Sequence, residues 1–269
     1  MTYCVGLLVD RGLAFMSDTR TNAGIDNISV VSKMKTWEVP GDRFLCLLSA
    51  GNLATTQSTI SLLEERAIAP SERKPAILAQ PSMFQTAKLV GETLREVIAT
   101  SAASGQSADS MFLGSFILGG QIKGGKPRLF MIYPEGNFIE AGNDNPFFQI
   151  GEHKYGRPII IRTYDAAMSL EDCAKLLLVS FDSTIRSNLS VGLPIDLQFY
   201  ETDALKAGYR RRFDARDPYY QQISEGWSDA LRSAFDRLPP FVATPAPEGD
   251  PKPGETKVAV PVQSVLKAV

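Results

Sequence analysis

Two consecutive segments near the start of the chain are apolar at both parities. Tyr3 to Val9 is apolar at nearly every position, the turn Asp10-Arg11-Gly12 follows, and Leu13 to Met16 resumes the run. Side chains alternate between the two faces of a strand, so a strand that is apolar throughout must be covered on both sides. This hairpin therefore belongs to an inner layer and not to a sheet with one wet face. A second strand pair, Ser29 to Val39 and Arg43 to Ser49, is joined by a turn at Pro40-Gly41-Asp42.

The period then changes. Leu53 to Arg66, just after Gly51-Asn52, reads as a helix, and Met83 to Ala99 carries Phe84, Ala87, Val90, Leu94, Val97 and Ile98 on one stripe. Residues 100–109 are rich in Ser, Ala and Gly and read as a loop. Phe112 to Leu118, Arg128 to Tyr133 and Asn137 to Ala141 form an antiparallel meander whose first turn is the glycine-rich stretch Gly119 to Pro127. Leu170 to Arg186 is helical, Ile195 to Glu201 a strand, and Pro218 to Leu238 an amphipathic helix. Inner sheets with helices in separate blocks predict an α+β fold, a four-layer α-β-β-α sandwich of two antiparallel sheets. Residues 1–238 are expected to form this domain. Residues 239–269, with seven prolines between Pro239 and Pro261, are expected to be a disordered tail.

Composition narrows the chemistry. With 28 basic and 30 acidic residues the formal net charge is −2, which argues against a partner held by phosphate contacts, so no nucleic acid is expected. The run Arg210-Arg211-Arg212 reads as a solvated helix end balanced by Asp214 and Asp217. One histidine, His153, leaves no histidine-rich metal site, and no metal or cofactor is expected. Cys4, Cys46 and Cys173 each lie among apolar residues, the usual setting of reduced core thiols. No apolar run approaches the roughly 18 residues of a membrane span, and no signal peptide opens the chain, so a cytoplasmic location is expected.

The residues that point to chemistry begin at Thr2. Removal of Met1, which a small second residue allows, would leave a hydroxyl and a free α-amine on one residue, a nucleophile beside its own base. The amine titrates near ~8, against ~10.4 for a lysine. The hairpin brings Asp18 back beside Thr2. Lys33, charged and close, would depress the amine's proton affinity and keep it a free base. Gly51, where a strand passes into a helix, offers a backbone N–H to a developing oxyanion. Taken singly, these are a turn-end carboxylate, a strand lysine and a helix-entry glycine. Their order and spacing carry the chemical reading.

Thr2, the triplet Asp18-Thr19-Arg20 sixteen residues on, Lys33 fifteen residues later and Ala50-Gly51 before a helix resemble the proteasome β-subunit family and its bacterial relative HslV. These are N-terminal-nucleophile hydrolases. The resemblance covers roughly residues 2–235, by motif to residue 52 and by order of elements beyond. The one-residue leader, the Pro40-Gly41-Asp42 insertion and the proline-rich tail lean toward its bacterial members. It implies Thr2 as nucleophile with its amine as base, Asp18 and Lys33 as the tuning pair, Gly51 as oxyanion donor, Ser190 as a further catalytic position, and Asn22 and Ser49 as substrate-pairing positions. Lys35 shares a strand face with Lys33, so alternation does not separate them; Lys33 is preferred because Met34 and Trp37 reproduce the family's apolar spacing.

Two departures stand out. Ser187 replaces the family's carboxylate in Arg186-Ser187-Asn188-Leu189-Ser190, and Gly151-Glu152-His153 stands where the family has Gly-Ser-Gly. Glu152 is either a substitute carboxylate or a loop residue, and His153 reads as a loop histidine. Three functions follow: a threonine-type peptidase in a self-assembled ring or spiral of identical subunits, a self-assembling scaffold with little activity, or an amidase acting on a small amide. Whether an ATPase partner is needed is open.

Overall fold

Alternation along the first hairpin builds the centre of the molecule. In the computed structural model, which describes residues 2–22, 28–68, 76–102 and 112–243, β1 (Tyr3–Val9) sends Tyr3, Val5, Leu7 and Val9 to one face and Cys4 to the other. In β2 (Gly12–Asp18), Ala14 and Met16 join the first face and Leu13 and Phe15 the second. Both faces are therefore buried, as the sequence requires.

A short hairpin follows, β3 (Arg20–Asn22) and β4 (Ile28–Val30), then β5 (Met34–Val39) and β6 (Arg43–Gly51). Next come α1 (Leu53–Ile68), a 3-10 turn at Ile77–Ala79 and α2 (Met83–Ala102). The meander is β7 (Gly114–Ile122), β8 (Arg128–Ile132) and β9 (Phe138–Glu140). The remaining elements are β10 (Phe147–Gly151), α3 (Arg157–Thr163), α4 (Leu170–Ser187), β11 (Ile195–Glu201), β12 (Arg210–Phe213) and α5 (Pro218–Asp236).

One five-stranded sheet runs β10-β1-β2-β11-β12 and the other β5-β6-β7-β8-β9, with every pairing antiparallel. The sheets meet across Leu13, Phe15, Phe44, Cys46, Ile117 and Leu129, and the rings of Phe44 and Tyr200 stack across that layer at 4.9 Å. Cys173, Leu177 and Phe181 of α4 cover the outer face of the first sheet. Leu63 of α1 and Ala87, Val90 and Leu94 of α2 cover that of the second. This is the four-layer α-β-β-α sandwich. Residues up to Asp229 form one compact unit and those from Ala230 a second. Residues 239–243 are exposed, and the rest of the expected tail lies outside the described residues.

Several sequence expectations need correction. The predicted strand Ser29–Val39 is two strands, and Val31, Ser32 and Lys33 link them. Gly119 and Gly120 belong to β7 and not to the turn after it. Helix α2 continues to Ala102, beyond the predicted Ala99, while residues 103–109 of the expected loop lie outside the described residues. The arginine run is an edge strand and not a helix end: Arg212 pairs with Asp196 across the ladder and Arg211 with Asp217, while Asp214 accepts the Arg216 N–H. Four elements gave no clear signal. Among them, α3 is built on an Ile159-Ile160-Ile161 run that favours a strand by propensity; it folds as a helix behind Gly156 and Pro158, with Ile160 buried against α4's layer. All three thiols are free and buried. Burial pushes each above the ordinary thiol value, Cys173 to about 12, so they are poor nucleophiles. No helix among the described residues is long and apolar enough to cross a membrane.

Candidate active site

The antiparallel register of β1 and β2 sets Cys4 opposite Ser17. Asp18, the last residue of β2, therefore arrives beside the segment Thr2–Tyr3. The Tyr3 N–H donates to Asp18 Oδ1 at 3.0 Å, and the Lys33 ammonium donates to the same oxygen at 2.6 Å. Lys33 Nζ also donates to the Arg20 carbonyl at 2.6 Å. On the far side the Gly192 N–H reaches Asp18 Oδ2 at 3.4 Å. Asp18 is 0% exposed, Lys33 5% and Thr2 7%. Burial pushes the Asp18 carboxyl above the ordinary carboxylate value, with Lys33 and the two N–H donors pulling the other way.

Lys33 is held at its own backbone too. Its carbonyl accepts the Ser49 N–H at 2.9 Å and the Ser49 hydroxyl at 3.4 Å, which fixes the link before β5 against β6. The structure separates the two lysines that alternation leaves unresolved. Lys33 lies outside the strand and turns inward, whereas Lys35, inside β5, is half-exposed and pairs with Glu64 of α1.

Gly51 closes β6 with φ at +110°, and a Cβ there would sit 2.3 Å from the Leu113 carbonyl oxygen, so no larger residue fits. The next residue, Asn52, caps α1 by accepting the Thr55 N–H at 3.0 Å. Thr2, Lys33, Ser49, Gly51, Thr21 and Arg20 line one cleft of about 410 Å³.

The opposite wall comes from β10. Tyr3 pairs with Gly151, whose φ is +82° and whose missing side chain would overlap the Thr2 carbonyl oxygen at 2.0 Å. The Glu152 N–H donates to that same carbonyl at 2.6 Å. Buried Glu152 accepts the Lys154 N–H and the Asn188 side-chain amide through its carboxylate, each at 2.9 Å. These bonds, the Lys154 N–H first, hold its carboxyl below the ordinary value despite burial. Asn188 in turn accepts the Ser190 N–H at 2.9 Å. His153 is an exposed loop residue.

Thr2, Asp18, Lys33, Ser49 and Gly51 are thus brought together, with Glu152 behind Thr2. Ser190 lies in the loop that also carries Gly192. Ser187 is the exposed last residue of α4, and the side chain reaching toward Thr2's surroundings from there is Asn188. Asn22 ends β3 opposite Ile28, and its side chain lies outside the described residues. The sequence reading missed Asn188, Gly192 and Gly151. Of these only Gly151, a glycine closing the run Phe147-Phe148-Gln149-Ile150, had a strand-end signal.

A four-layer sandwich with a threonine at the head of its first inner strand, a buried Asp–Lys pair beside it and a glycine-lined cleft is the architecture of N-terminal-nucleophile hydrolases. The chain matches the family described as Proteasome subunit over residues 2–197, and it belongs to that family. Within it, solved structures of Anbu, the ancestral β-subunit, are similar to this chain. Anbu from Hyphomicrobium sp. strain MC1 is 50% identical with a TM-score of 0.83, the match covering 90% of this chain and 100% of that one. Anbu from Yersinia bercovieri is 46% identical with a TM-score of 0.84 and the same coverage. The Anbu complex from Pseudomonas aeruginosa, described as a helical assembly, is 44% identical with a TM-score of 0.82, covering 92% of this chain and 100% of its own. Comparison with curated proteins gives no match.

Proposed function

We propose that the chain is a threonine-type peptidase that uses Thr2 after Met1 is removed and works in a self-assembled ring or spiral. The observation that carries this reading is the buried Asp18–Lys33 pair, whose lysine lines the same cleft as Thr2. In this mechanism the Thr2 hydroxyl attacks a peptide carbonyl while the α-amine, through a water, takes its proton and later delivers one to the leaving amine. The Lys33 charge lowers the amine's proton affinity, and Asp18 keeps that charge in place. The Gly51 N–H stabilises the oxyanion. Water then hydrolyses the ester on Thr2, regenerating the hydroxyl. Asn22 and Ser49 pair with the substrate backbone, and Ser190 supports the amine. Self-assembly follows the helical assembly of the Pseudomonas aeruginosa relative and would keep folded proteins from the cleft.

One observation favours a second reading, a scaffold with little activity: exposed Ser187 supplies no charge where the family has a carboxylate. Thr2→Ala separates the readings. The peptidase reading expects the variant to fold and assemble but to lose hydrolysis and labelling by a β-lactone. A wild-type chain that assembles yet is never labelled supports the scaffold. A small-amide amidase would be labelled but would ignore a peptide library.

A further inference from the structure

Residues 188–194, which connect α4 to β11, approach Asp18, while the turn after β10 holds Thr2. Three hydrogen bonds fasten the connection to residues 18–20. The Gly192 N–H donates to Asp18 Oδ2 at 3.4 Å, the Thr19 hydroxyl to the Pro194 carbonyl at 2.6 Å, and the Arg20 guanidinium to the Leu189 carbonyl at 2.8 Å. On the other side the Glu152 N–H holds the Thr2 carbonyl at 2.6 Å. Among the described residues, a single side chain of the connection bonds to that turn, and it is Asn188.

Asn188 follows the last turn of α4 in an extended conformation, with φ at −142°, and sits half-buried between exposed Ser187 and Leu189. Its amide is used at both ends. Nδ2 donates to Glu152 Oε2 and Oδ1 accepts the Ser190 N–H, each at 2.9 Å. A side-chain amide carries a donor and an acceptor together, whereas a carboxylate only accepts and an aliphatic side chain does neither. An aspartate here would set a second negative charge against Glu152. Among the described residues the Ser190 hydroxyl makes no hydrogen bond, so Ser190 is held through its backbone, and there the bond to Asn188 acts.

We infer that Asn188 is a positioning residue for the reaction proposed at Thr2: it locks the connection that carries Ser190 to the Glu152 turn, so that the segments beside Thr2 keep one spacing. The inference rests on that reading and assigns the contact that maintains its geometry. Exposed Ser187 brings no charge to this corner, which leaves the bond between Asn188 and the Glu152 carboxylate to hold it. Displacing a reacting group by ~1 Å costs about 100-fold in rate. A lost link is therefore read in the rate of reaction at Thr2 while the fold persists.

β-Lactone labelling of Thr2 in the full chain, followed by intact mass, gives both the rate and the fraction of chains labelled at completion. Circular dichroism shows that each variant is folded. Asn188→Asp keeps the acceptor for Ser190 but faces Glu152 with a like charge. It is expected to slow labelling roughly 10- to 100-fold, with every chain still labelled in the end. Asn188→Ala removes both bonds and adds no charge; it should slow labelling as well, and it decides the matter if Asn188→Asp does not fold. Asn188→Asp/Glu152→Gln restores the bond with donor and acceptor exchanged, and should react about tenfold faster than Asn188→Asp alone. A wild-type rate in Asn188→Ala, or no recovery in the double variant, would overturn the inference and leave Thr2 as the nucleophile. A lower labelled fraction at an unchanged rate would make Asn188 structural only. A wild-type chain that is never labelled removes the Thr2 reading itself, and the inference with it.

Discussion

Lys33 and Lys35 stand two residues apart, and each forms an ion pair, yet the two pairs are physically different objects. Lys33 and Asp18 are buried, and two backbone N–H groups also donate to the carboxylate. Lys35 and Glu64 are about 40% exposed, one on a strand and the other on a helix. A solvated pair contributes little because water screens it and long side chains lose entropy in forming it. A buried pair contributes little net stability either, but removing one partner strands the other charge in the interior. Charge alone therefore does not distinguish the two lysines; the loss of water around Lys33 does.

The comparison breaks most visibly at Lys33. Lys33→Met leaves Asp18 with no countercharge, so a loss of about 3–5 kcal/mol of stability is expected in denaturant unfolding. Among molecules that remain folded, β-lactone labelling of Thr2 should slow by roughly 10²–10⁴. A folded Lys33→Met protein labelled at the wild-type rate would remove the pair from the mechanism.

Glu152 tests whether a second buried carboxylate behind Thr2 has taken over from Ser187. Charge-assisted hydrogen bonds are about twice as strong as neutral ones, and misplacing a reacting group by ~1 Å costs about 100-fold. Glu152→Gln is thus expected to slow peptide turnover about tenfold, within that range, and Ser187→Asp to raise it. If neither changes the rate, orientation of the amine is not what limits turnover.

Acid pH sharpens the contrast without mutation. Burial raises the Asp18 carboxyl, so on acidification it takes up a proton above the usual carboxylate value of about 3.9. The pair then loses its negative member, so labelling, already reduced as the Thr2 amine takes up a proton, should fall further in that window. The sign for stability is opposite. A carboxyl with a raised folded-state pKa binds its proton more tightly when folded, so protonating Asp18 does not itself unfold the chain. Labelling and melting temperature measured across pH should therefore separate, with labelling falling first. Simultaneous loss would mean that unfolding, and not Asp18, sets the acid limit.

The smallest effect belongs to the solvated pair. Lys35→Met should change stability by less than about 1 kcal/mol and leave labelling unchanged. A large loss of labelling there would exchange the roles of the two lysines.

Local sequence revealed what depends on periodicity. The doubly apolar hairpin dictated an inner layer, and the turn Asp10-Arg11-Gly12 alone was enough to return Asp18 to Thr2. What it hid depends on contacts between distant segments. Gly192 meets Asp18 across 174 positions and Asn188 meets Glu152 across 36, and neither loop carries a period. Alternation could not separate Lys33 from Lys35 because an unbroken strand reading of Ser29–Val39 conceals the break between β4 and β5. In α3, burial of Ile160 and the Gly156-Arg157-Pro158 entry override the β preference of isoleucine.

The central claim is that Thr2, freed of Met1, is the nucleophile. Intact mass of the purified chain before and after a β-lactone, followed by peptide mapping of the adduct, tests it most directly. The account predicts a chain lacking Met1, a single adduct on Thr2, and none on Thr2→Ala. A chain that keeps Met1 and still hydrolyses peptides, or an adduct that persists in Thr2→Ala, would contradict it.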